Sequence, residues 1–70
     1  MKDESRVLSE IERIRSSAGV DRDGIYGITK KVKGGQIKSC SQLISELRNI
    51  ERISSRYKEY ELQGIFESIC

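Results

Sequence analysis

Apolar residues recur three and four positions apart along most of this chain, which is the spacing that places side chains on one face of a helix. The first predicted helix runs from Asp3 to Ala18, with Asp3 or Ser5 as its N-cap and Gly19 as its C-terminal stop. Its apolar face consists of Val7, Leu8, Ile11 and Ile14. This narrow face predicts an amphipathic helix that is mostly exposed to solvent.

A second helix is predicted from the N-cap Asp21 to the Gly34-Gly35 pair, where a helix ends and a turn begins. Its apolar positions are Ile25, Ile28 and Val32. Gly24 and Gly27 oppose this interpretation, because each costs about 1 kcal/mol relative to alanine inside a helix. They leave open a β-hairpin across the diglycine turn, although the strict alternation expected of strands is absent.

The second half of the chain has the clearest helical pattern. Ser39 is followed three residues later by Gln42, which fits a capping box at a helix start. The apolar stripe after it consists of Leu43, Ile44, Leu47, Ile50 and Ile53. A helical face resumes beyond Ser54-Ser55. We therefore expect either one long helix that bends at the serines or two helices that meet there.

These segments predict an all-α protein, with residues 1–70 forming a single domain built as a small bundle of three to four helices. Seven apolar residues of the second half are predicted to form a core or a dimer or partner face, namely Leu43, Leu47, Ile50, Leu62, Ile65, Phe66 and Ile69. This half carries more apolar residues than a lone short chain needs, so self-association is expected.

The size of the chain strengthens that expectation, because small domains often rely on disulfides, a metal or oligomerisation. The chain has no histidine, and its two cysteines, Cys40 and Cys70, are too far apart to supply local pairs of zinc ligands. We expect both cysteines to be reduced, since no export signal precedes them, and Cys70 to be frayed. By elimination, a homodimer is predicted.

The net charge of +2 is too small to indicate nucleic acid by itself. The charge is unevenly placed, however, because no acidic residue lies between Asp23 and Glu46. This interval contains Lys30, Lys31, Lys33 and Lys38. A structural explanation is that cations favour the negative end of a helix dipole. A functional explanation is contact with DNA phosphates or with an acidic partner surface.

Catalytic chemistry is not expected. Histidine is absent, and the carboxylates Glu59 and Glu61 lie on a charged, solvated stretch. Gly34-Gly35 lacks the lysine and hydroxyl residue of a phosphate-binding loop, so we expect no cofactor. Cys40 lies near Lys38 and a predicted helix start, which can activate a thiol, although a small half-buried residue is the simpler interpretation. The sequence therefore predicts a protein that is not an enzyme.

A helix-turn-helix is conceivable, because the second helix, a glycine-containing turn and the helix from Cys40 come in the right order. The exposed residues after the turn are Ser39, Ser41, Gln42 and Ser45. These include few of the arginine and asparagine side chains that recognise base edges, so sequence-specific recognition is not expected.

The order of these features resembles a known family. The turn Lys33-Gly34-Gly35-Gln36 and the segment Lys38 to Leu47 follow a short helix as in the small enterobacterial AriR and YcgZ group, regulators of biofilm formation and acid resistance. The likeness spans Ser16 to Phe66. It implies an all-helical homodimer without catalytic residues, and the positions shared with the family are the diglycine turn and Leu43, Leu47, Ile65 and Phe66. The charged start, Met1 to Arg6, lacks the apolar run of a signal peptide, so a cytoplasmic location is expected.

The resemblance implies a dimeric adaptor, or connector, in a two-component signalling pathway, with a response regulator as partner. The alternative is a regulator that binds DNA weakly and without sequence specificity through the four lysines. A chaperone-like or toxin-neutralising helical module is a third class that the sequence leaves open. No segment approaches the length of a membrane span, so no membrane partner is expected.

Overall fold

The computed structural model describes residues 1–70 and contains five α-helices and no strand. The helices are α1 (Glu4–Ala18), α2 (Arg22–Lys33), α3 (Cys40–Arg48), α4 (Glu51–Arg56) and α5 (Glu59–Phe66). The all-α prediction is confirmed, whereas the number of helices is five rather than three to four. The hairpin alternative for the segment around Gly34-Gly35 is wrong, because α2 runs unbroken up to Lys33.

The first helix begins and ends where its local signals indicate. Asp3 is the N-cap, and its Oδ1 accepts a hydrogen bond from the N–H of Arg6 at 3.2 Å. Gly19 ends the helix in the left-handed conformation, with a φ of 70°, which glycine adopts without the steric cost of a Cβ atom. Both predicted signals are confirmed.

The second helix starts at the predicted cap, since Asp21 Oδ1 accepts a hydrogen bond from the N–H of Gly24 at 2.9 Å. The presence of glycine at position 24 has a packing reason. A Cβ atom there would lie 2.9 Å from Cγ1 of Val20, in the connection between α1 and α2. Any larger residue at position 24 would therefore displace the Val20 side chain. Gly27, in contrast, faces open space.

The third helix is capped by Ser39, whose Oγ accepts a hydrogen bond from the N–H of Gln42 at 3.2 Å. The return bond of a capping box would run from the N–H of Ser39 to the Gln42 side chain. Instead, Gln42 Oε1 accepts from the N–H of Lys38 at 2.9 Å, one residue earlier. Only one of the two hydrogen bonds of the predicted capping box therefore forms. The Gln42 side chain binds the backbone of Lys38 instead, which precedes the helix.

The helical breaks of the second half do not lie at the serines. Ser54 and Ser55 are inside α4, and Ser54 Oγ donates a hydrogen bond to the Glu51 carbonyl, which is compatible with a helix. The chain becomes extended at Ile50, before α4, and at Tyr57, after it. The prediction of a bend or junction at Ser54-Ser55 is therefore wrong.

The core is entirely apolar, and all five helices contribute to it. Its fifteen buried residues are Val7, Ile11, Ile14, Val20, Ile25, Ile28, Val32, Ile37, Leu43, Ile44, Leu47, Ile53, Leu62, Phe66 and Ile69. No polar or charged residue is buried. α1 packs against α2, α4 and α5, and α3 packs against the same three helices. No helix is both long and apolar enough to cross a membrane.

The two cysteines are joined in a disulfide, with 5.5 Å between their Cα atoms. This corrects the expectation that both are reduced and that Cys70 is frayed. The backbone carbonyl of Cys70 accepts a hydrogen bond from the N–H of Lys2 at 2.9 Å, and the neighbouring Ile69 is only 3% exposed. The segment around Cys70 is therefore held against the start of α1, which places its sulfur beside the first residue of α3.

Candidate interaction surface

The four predicted lysines lie together at the junction of α2 and α3. Lys30, Lys31 and Lys33 occupy the last turn of α2, and Lys38 precedes the N-cap of α3. The connection folds back tightly, because Lys31 O accepts hydrogen bonds from the N–H groups of Gln36 at 2.8 Å and Ile37 at 3.1 Å. We call Lys30, Lys31, Lys33 and Lys38 the lysine surface.

Burial of one residue holds this connection in place. Ile37 is 3% exposed and belongs to the core, so the chain between α2 and α3 is anchored midway. Lys38 follows directly and is exposed to solvent. Its backbone N–H is bound by Gln42 Oε1. The backbone that carries Lys38 is therefore fixed on both sides, while its ammonium group remains free to contact a partner.

The lysines differ in their surroundings. Lys31 forms an ion pair with Glu46 of α3, with 3.4 Å between Nζ and Oε2, and thereby ties the two helices together. The ammonium group of Lys30 lies 5.3 Å from the ring centre of Tyr26, a cation–π distance. Lys33 and Lys38 are exposed and form neither kind of contact. The charges of Lys33 and Lys38 are therefore available at the surface without a competing partner, and that of Lys30 is exposed beside the Tyr26 ring.

The helix dipoles distinguish Lys38 from the other three. Cations are stabilised at the C-terminal end of a helix, which accounts for Lys30, Lys31 and Lys33 in the last turn of α2. Lys38 lies instead at the N-terminal end of α3, where the positive end of the dipole disfavours a cation. Helix stability does not explain a lysine at this position.

A groove runs from the lysine surface along α3, with a volume of about 390 Å³. It is lined by Lys31, Gln36, Ile37, Ser41, Gln42, Ser45 and Glu46. Only Ile37 among these residues is hydrophobic, and its side chain belongs to the core. Small organic ligands favour enclosed, largely apolar pockets, so this groove suits polar side chains of a partner better.

A second polar groove of about 340 Å³ lies on the other side of α3, against α5. It is lined by Ser41, Ile44, Ser45, Arg48, Asn49, Glu59 and Gln63. Arg48 is engaged with Glu59, at 3.1 Å between Nη1 and Oε1. The outer face of α3 is thus a polar ridge between two grooves, and it adjoins the lysine surface.

The sequence predicts Gln42 to be exposed beside the turn, but it does not assign Arg48 or Tyr26 to this surface. Ser45 and Arg48 continue the helical spacing of the exposed α3 positions that starts at Ser41. That spacing was a usable signal, because positions three, four and seven apart share one helix face. Tyr26 is 61% exposed and lies one turn before Lys30, so the same rule links them.

The predicted apolar face is brought together, but inside a single chain. Leu43, Leu47, Leu62 and Phe66 have no solvent exposure, and Ile69 has 3%. Ile50 and Ile65 are half-buried and pack against the core. The face therefore forms the centre of the fold, and its use as a dimer or partner surface stays a prediction. The large hydrophobic side chains that are exposed are Tyr26 and Tyr60.

Outside this surface, local structural contacts are made by three titratable side chains, Glu12, Arg15 and Glu61. On α1, Arg15 donates hydrogen bonds to the Glu12 carboxylate, which lowers the pKa of Glu12 below its ordinary range. Arg15 Nη1 also donates to the carbonyl of Val20 at 2.7 Å and so holds the α1–α2 connection. No group of three or more metal-ligating side chains is present. Glu61 accepts a hydrogen bond from the N–H of Lys58, which starts α5.

Comparisons of this chain with protein families, with curated proteins and with solved structures find no match. The resemblance to the AriR and YcgZ group therefore stays a prediction from the residues quoted for it. The case for a function rests on the lysine surface and on the polar ridge of α3 beside it.

Proposed function

We propose that this chain is a small, non-catalytic, cytoplasmic regulatory protein that acts as an adaptor. Its lysine surface docks on an acidic face of another regulatory protein, such as a response regulator of a two-component pathway. Through that partner it adjusts the expression of biofilm and acid-resistance genes. The class of partner is supported by the surface, whereas the pathway and the genes follow from the resemblance to the AriR and YcgZ group.

The observation that carries the proposal is the position of Lys38. This lysine is exposed at the end of α3 that disfavours a cation, on backbone fixed by Ile37 and Gln42. It thereby extends the positive charge of α2 onto the α3 side of the connection. A partner carboxylate can compensate the unfavourable charge, which makes an acidic surface the best match.

Two carboxylates disfavour insertion of α3 into a DNA groove, which an acidic protein face that contacts only the lysine surface does not require. Glu46 and Glu59 lie in the grooves on either side of α3, where an inserted helix would approach phosphates. Arg48, the α3 side chain best suited to recognise a base edge, is paired with Glu59. The exposed serines of α3 add little base discrimination. The geometry thus favours short polar contacts with a protein.

Weak DNA binding is a second candidate, because α2, the connection and α3 come in helix-turn-helix order and present the lysines beside an exposed polar helix. In this case the lysines contact phosphates, and affinity falls steeply with salt. Acidic proteins also bind lysines in a salt-dependent manner, so salt alone does not separate the two candidates.

A homodimer is also part of the proposal. The apolar residues expected at its interface lie mainly in the core of one chain, so a dimer that preserves this fold uses other surfaces. Tyr26 and Tyr60 are 61% and 69% exposed and offer the largest exposed hydrophobic area for such a contact. Sedimentation over a hundredfold range of concentration tests it, and a mass near 8.0 kDa throughout would reject it.

The experiment compares two double variants with the same change in charge. Lys33→Gln/Lys38→Gln alters the lysine surface, and Lys2→Gln/Lys58→Gln removes two exposed lysines elsewhere. Each tagged protein is used to capture partners from a nuclease-treated lysate of the source cells, and captured proteins are identified by mass spectrometry. Binding of a fluorescent DNA duplex is measured in parallel at two salt concentrations.

The proposal expects one regulatory protein that resists nuclease, is lost with Lys33→Gln/Lys38→Gln and is retained with the control variant. Equal capture by both double variants would reject the lysine surface as the docking site. Duplex binding that disappears only in Lys33→Gln/Lys38→Gln, together with no nuclease-resistant partner, would replace the adaptor by the DNA-binding candidate.

A further inference from the structure

The Cys40–Cys70 pair lies at a point where three separate parts of the chain meet. Cys40 is the first residue of α3, and Cys70 follows the turn after α5, thirty positions later. Both residues are partly buried and pack against the core, so neither is fully enclosed by the protein. The Cα atoms are 5.5 Å apart, within the usual range for a disulfide.

The disulfide is linked through hydrogen bonds to the beginning of α1. The carbonyls of Ile69 and Cys70 accept bonds from the N–H groups of Asp3 and Lys2, both at 2.9 Å. Asp3 is in turn the N-cap of α1. The covalent bond to Cys40 therefore holds residues 67–70 on α3, and these residues hold the start of α1.

A backbone carbonyl lies beside the sulfur of Cys40. The carbonyl oxygen of Phe66 lies 3.2 Å from Sγ of Cys40 and accepts hydrogen bonds from the N–H groups of Ile69 and Cys70 at 3.0 Å. A thiol at Cys40 could donate a hydrogen bond to this oxygen, which would give the reduced sulfur a polar partner.

We propose that Cys40 and Cys70 form a reversible thiol–disulfide exchange site whose reactants are low-molecular-weight thiols and their disulfides. Closure of the site clamps residues 67–70 and the start of α1 onto α3. Opening leaves these segments held only by hydrogen bonds and apolar contacts. This proposal is independent of the lysine surface. Its regulatory interpretation rests on the cytoplasmic location proposed above, where lasting disulfides are rare.

Closure proceeds by two exchange steps. One cysteine thiolate attacks a small disulfide, RSSR, which forms a mixed disulfide with the protein and releases RS⁻. The second cysteine thiolate then attacks the protein sulfur of the mixed disulfide and releases the second RS⁻. The two thiol protons end on the released thiols, and two electrons pass from the cysteine pair to RSSR. Opening by two RSH molecules is the reverse reaction.

The test equilibrates the purified chain with oxidised and reduced glutathione at a series of ratios. Trapping of free thiols followed by intact mass measurement gives the fraction closed. We expect a single transition between a species with two free thiols and a monomer with none, without accumulation of the mixed disulfide. Two free thiols at every ratio, or a disulfide-linked dimer as the main oxidised product, would overturn the proposal.

The consequence for structure is measured by amide hydrogen exchange and urea unfolding. Opening should speed exchange of the Lys2 and Asp3 amides at least tenfold and reduce the ratio of folded to unfolded chains by about a hundredfold or more. The Cys40→Ser/Cys70→Ser variant is the control, and reductant should leave its exchange and unfolding unchanged. If reduction changes neither quantity in the parent protein, or changes both equally in the double variant, the clamp is rejected.

Discussion

Replacing Phe66 with alanine removes the largest fully buried side chain of the molecule. Removal of a buried phenylalanine typically costs about 3 to 5 kcal/mol, because apolar contact is lost and a cavity remains. A folded chain of 70 residues has a total stability of about 3.5 to 10 kcal/mol. We therefore expect Phe66→Ala to lose a large part of its stability or to unfold.

Tyr60 offers a matched control on the same helix. Its side chain is 69% exposed, and both substitutions replace an aromatic residue of α5 by alanine, so the change in helix propensity is similar. At protein concentrations where the chain is monomeric, Tyr60→Ala should change the free energy of unfolding by no more than about 0.5 kcal/mol. The difference between the two variants isolates the contribution of burial.

The assay is urea unfolding followed by circular dichroism, with the disulfide intact in both variants. With a slope of roughly 1 kcal/mol per molar urea for a protein of this size, Phe66→Ala should lower the midpoint by about 3 to 5 M or abolish the cooperative transition. The measurement is repeated at a tenfold lower protein concentration. If Phe66 stabilised a dimer interface, the unfolding midpoint of the parent protein would depend on concentration. Equal, small shifts in Phe66→Ala and Tyr60→Ala would refute the assignment of Phe66 to the core.

Three further predictions concern local features of the helices. Gly19→Ala should destabilise the protein by about 1 to 2 kcal/mol in thermal melts, because a φ of 70° disfavours any Cβ atom. Gly27 lies inside a helix and faces open space, so Gly27→Ala should stabilise the protein by up to about 1 kcal/mol. Ser39→Ala should cost about 1 kcal/mol in urea unfolding, since the N-cap hydrogen bond of α3 is lost. The pKa of Glu12 is lowered in the folded state by Arg15, so its stabilising contribution is present above the ordinary glutamate range and disappears as the pH falls below about 4. Glu12→Gln should therefore weaken the acid-side decline of the melting temperature, and an identical decline in both proteins would contradict this assignment.

The starts of three helices could be predicted because their signals are local. Asp3, Asp21 and Ser39 each accept a hydrogen bond from a backbone N–H three residues later, so a few neighbouring residues decide the outcome. The extended residues at Ile50 and Tyr57 could not be predicted in this way. The O–H of Tyr57 donates to Ser17 Oγ at 2.9 Å, a contact with a helix forty positions earlier.

The candidate surface was predictable only in part for the same reason. The lysines are close in sequence, so their clustering was visible, whereas the groove beside them depends on burial of Ile37 and on the ion pair between Lys31 and Glu46. The pairing of Cys40 with Cys70 depends on the packing of the whole chain. An apolar stripe does not distinguish an internal core from an interface, which is why the fate of the face containing Phe66 needed the structure.

The contacts of α1 have a consequence for the order of events during protein synthesis. Its C-terminal turn receives a hydrogen bond from Arg52 to the carbonyl of Gly19, and its start is bound to the carbonyls of Ile69 and Cys70. A nascent chain that has exposed only α1 to α3 has the local caps of α1 at Asp3 and Gly19, but it lacks the later residues that hold both ends of α1 against the rest of the fold. We expect α1 to reach its final packed position only after residue 70 has left the ribosome. Folding should therefore follow translation of this segment and not accompany it.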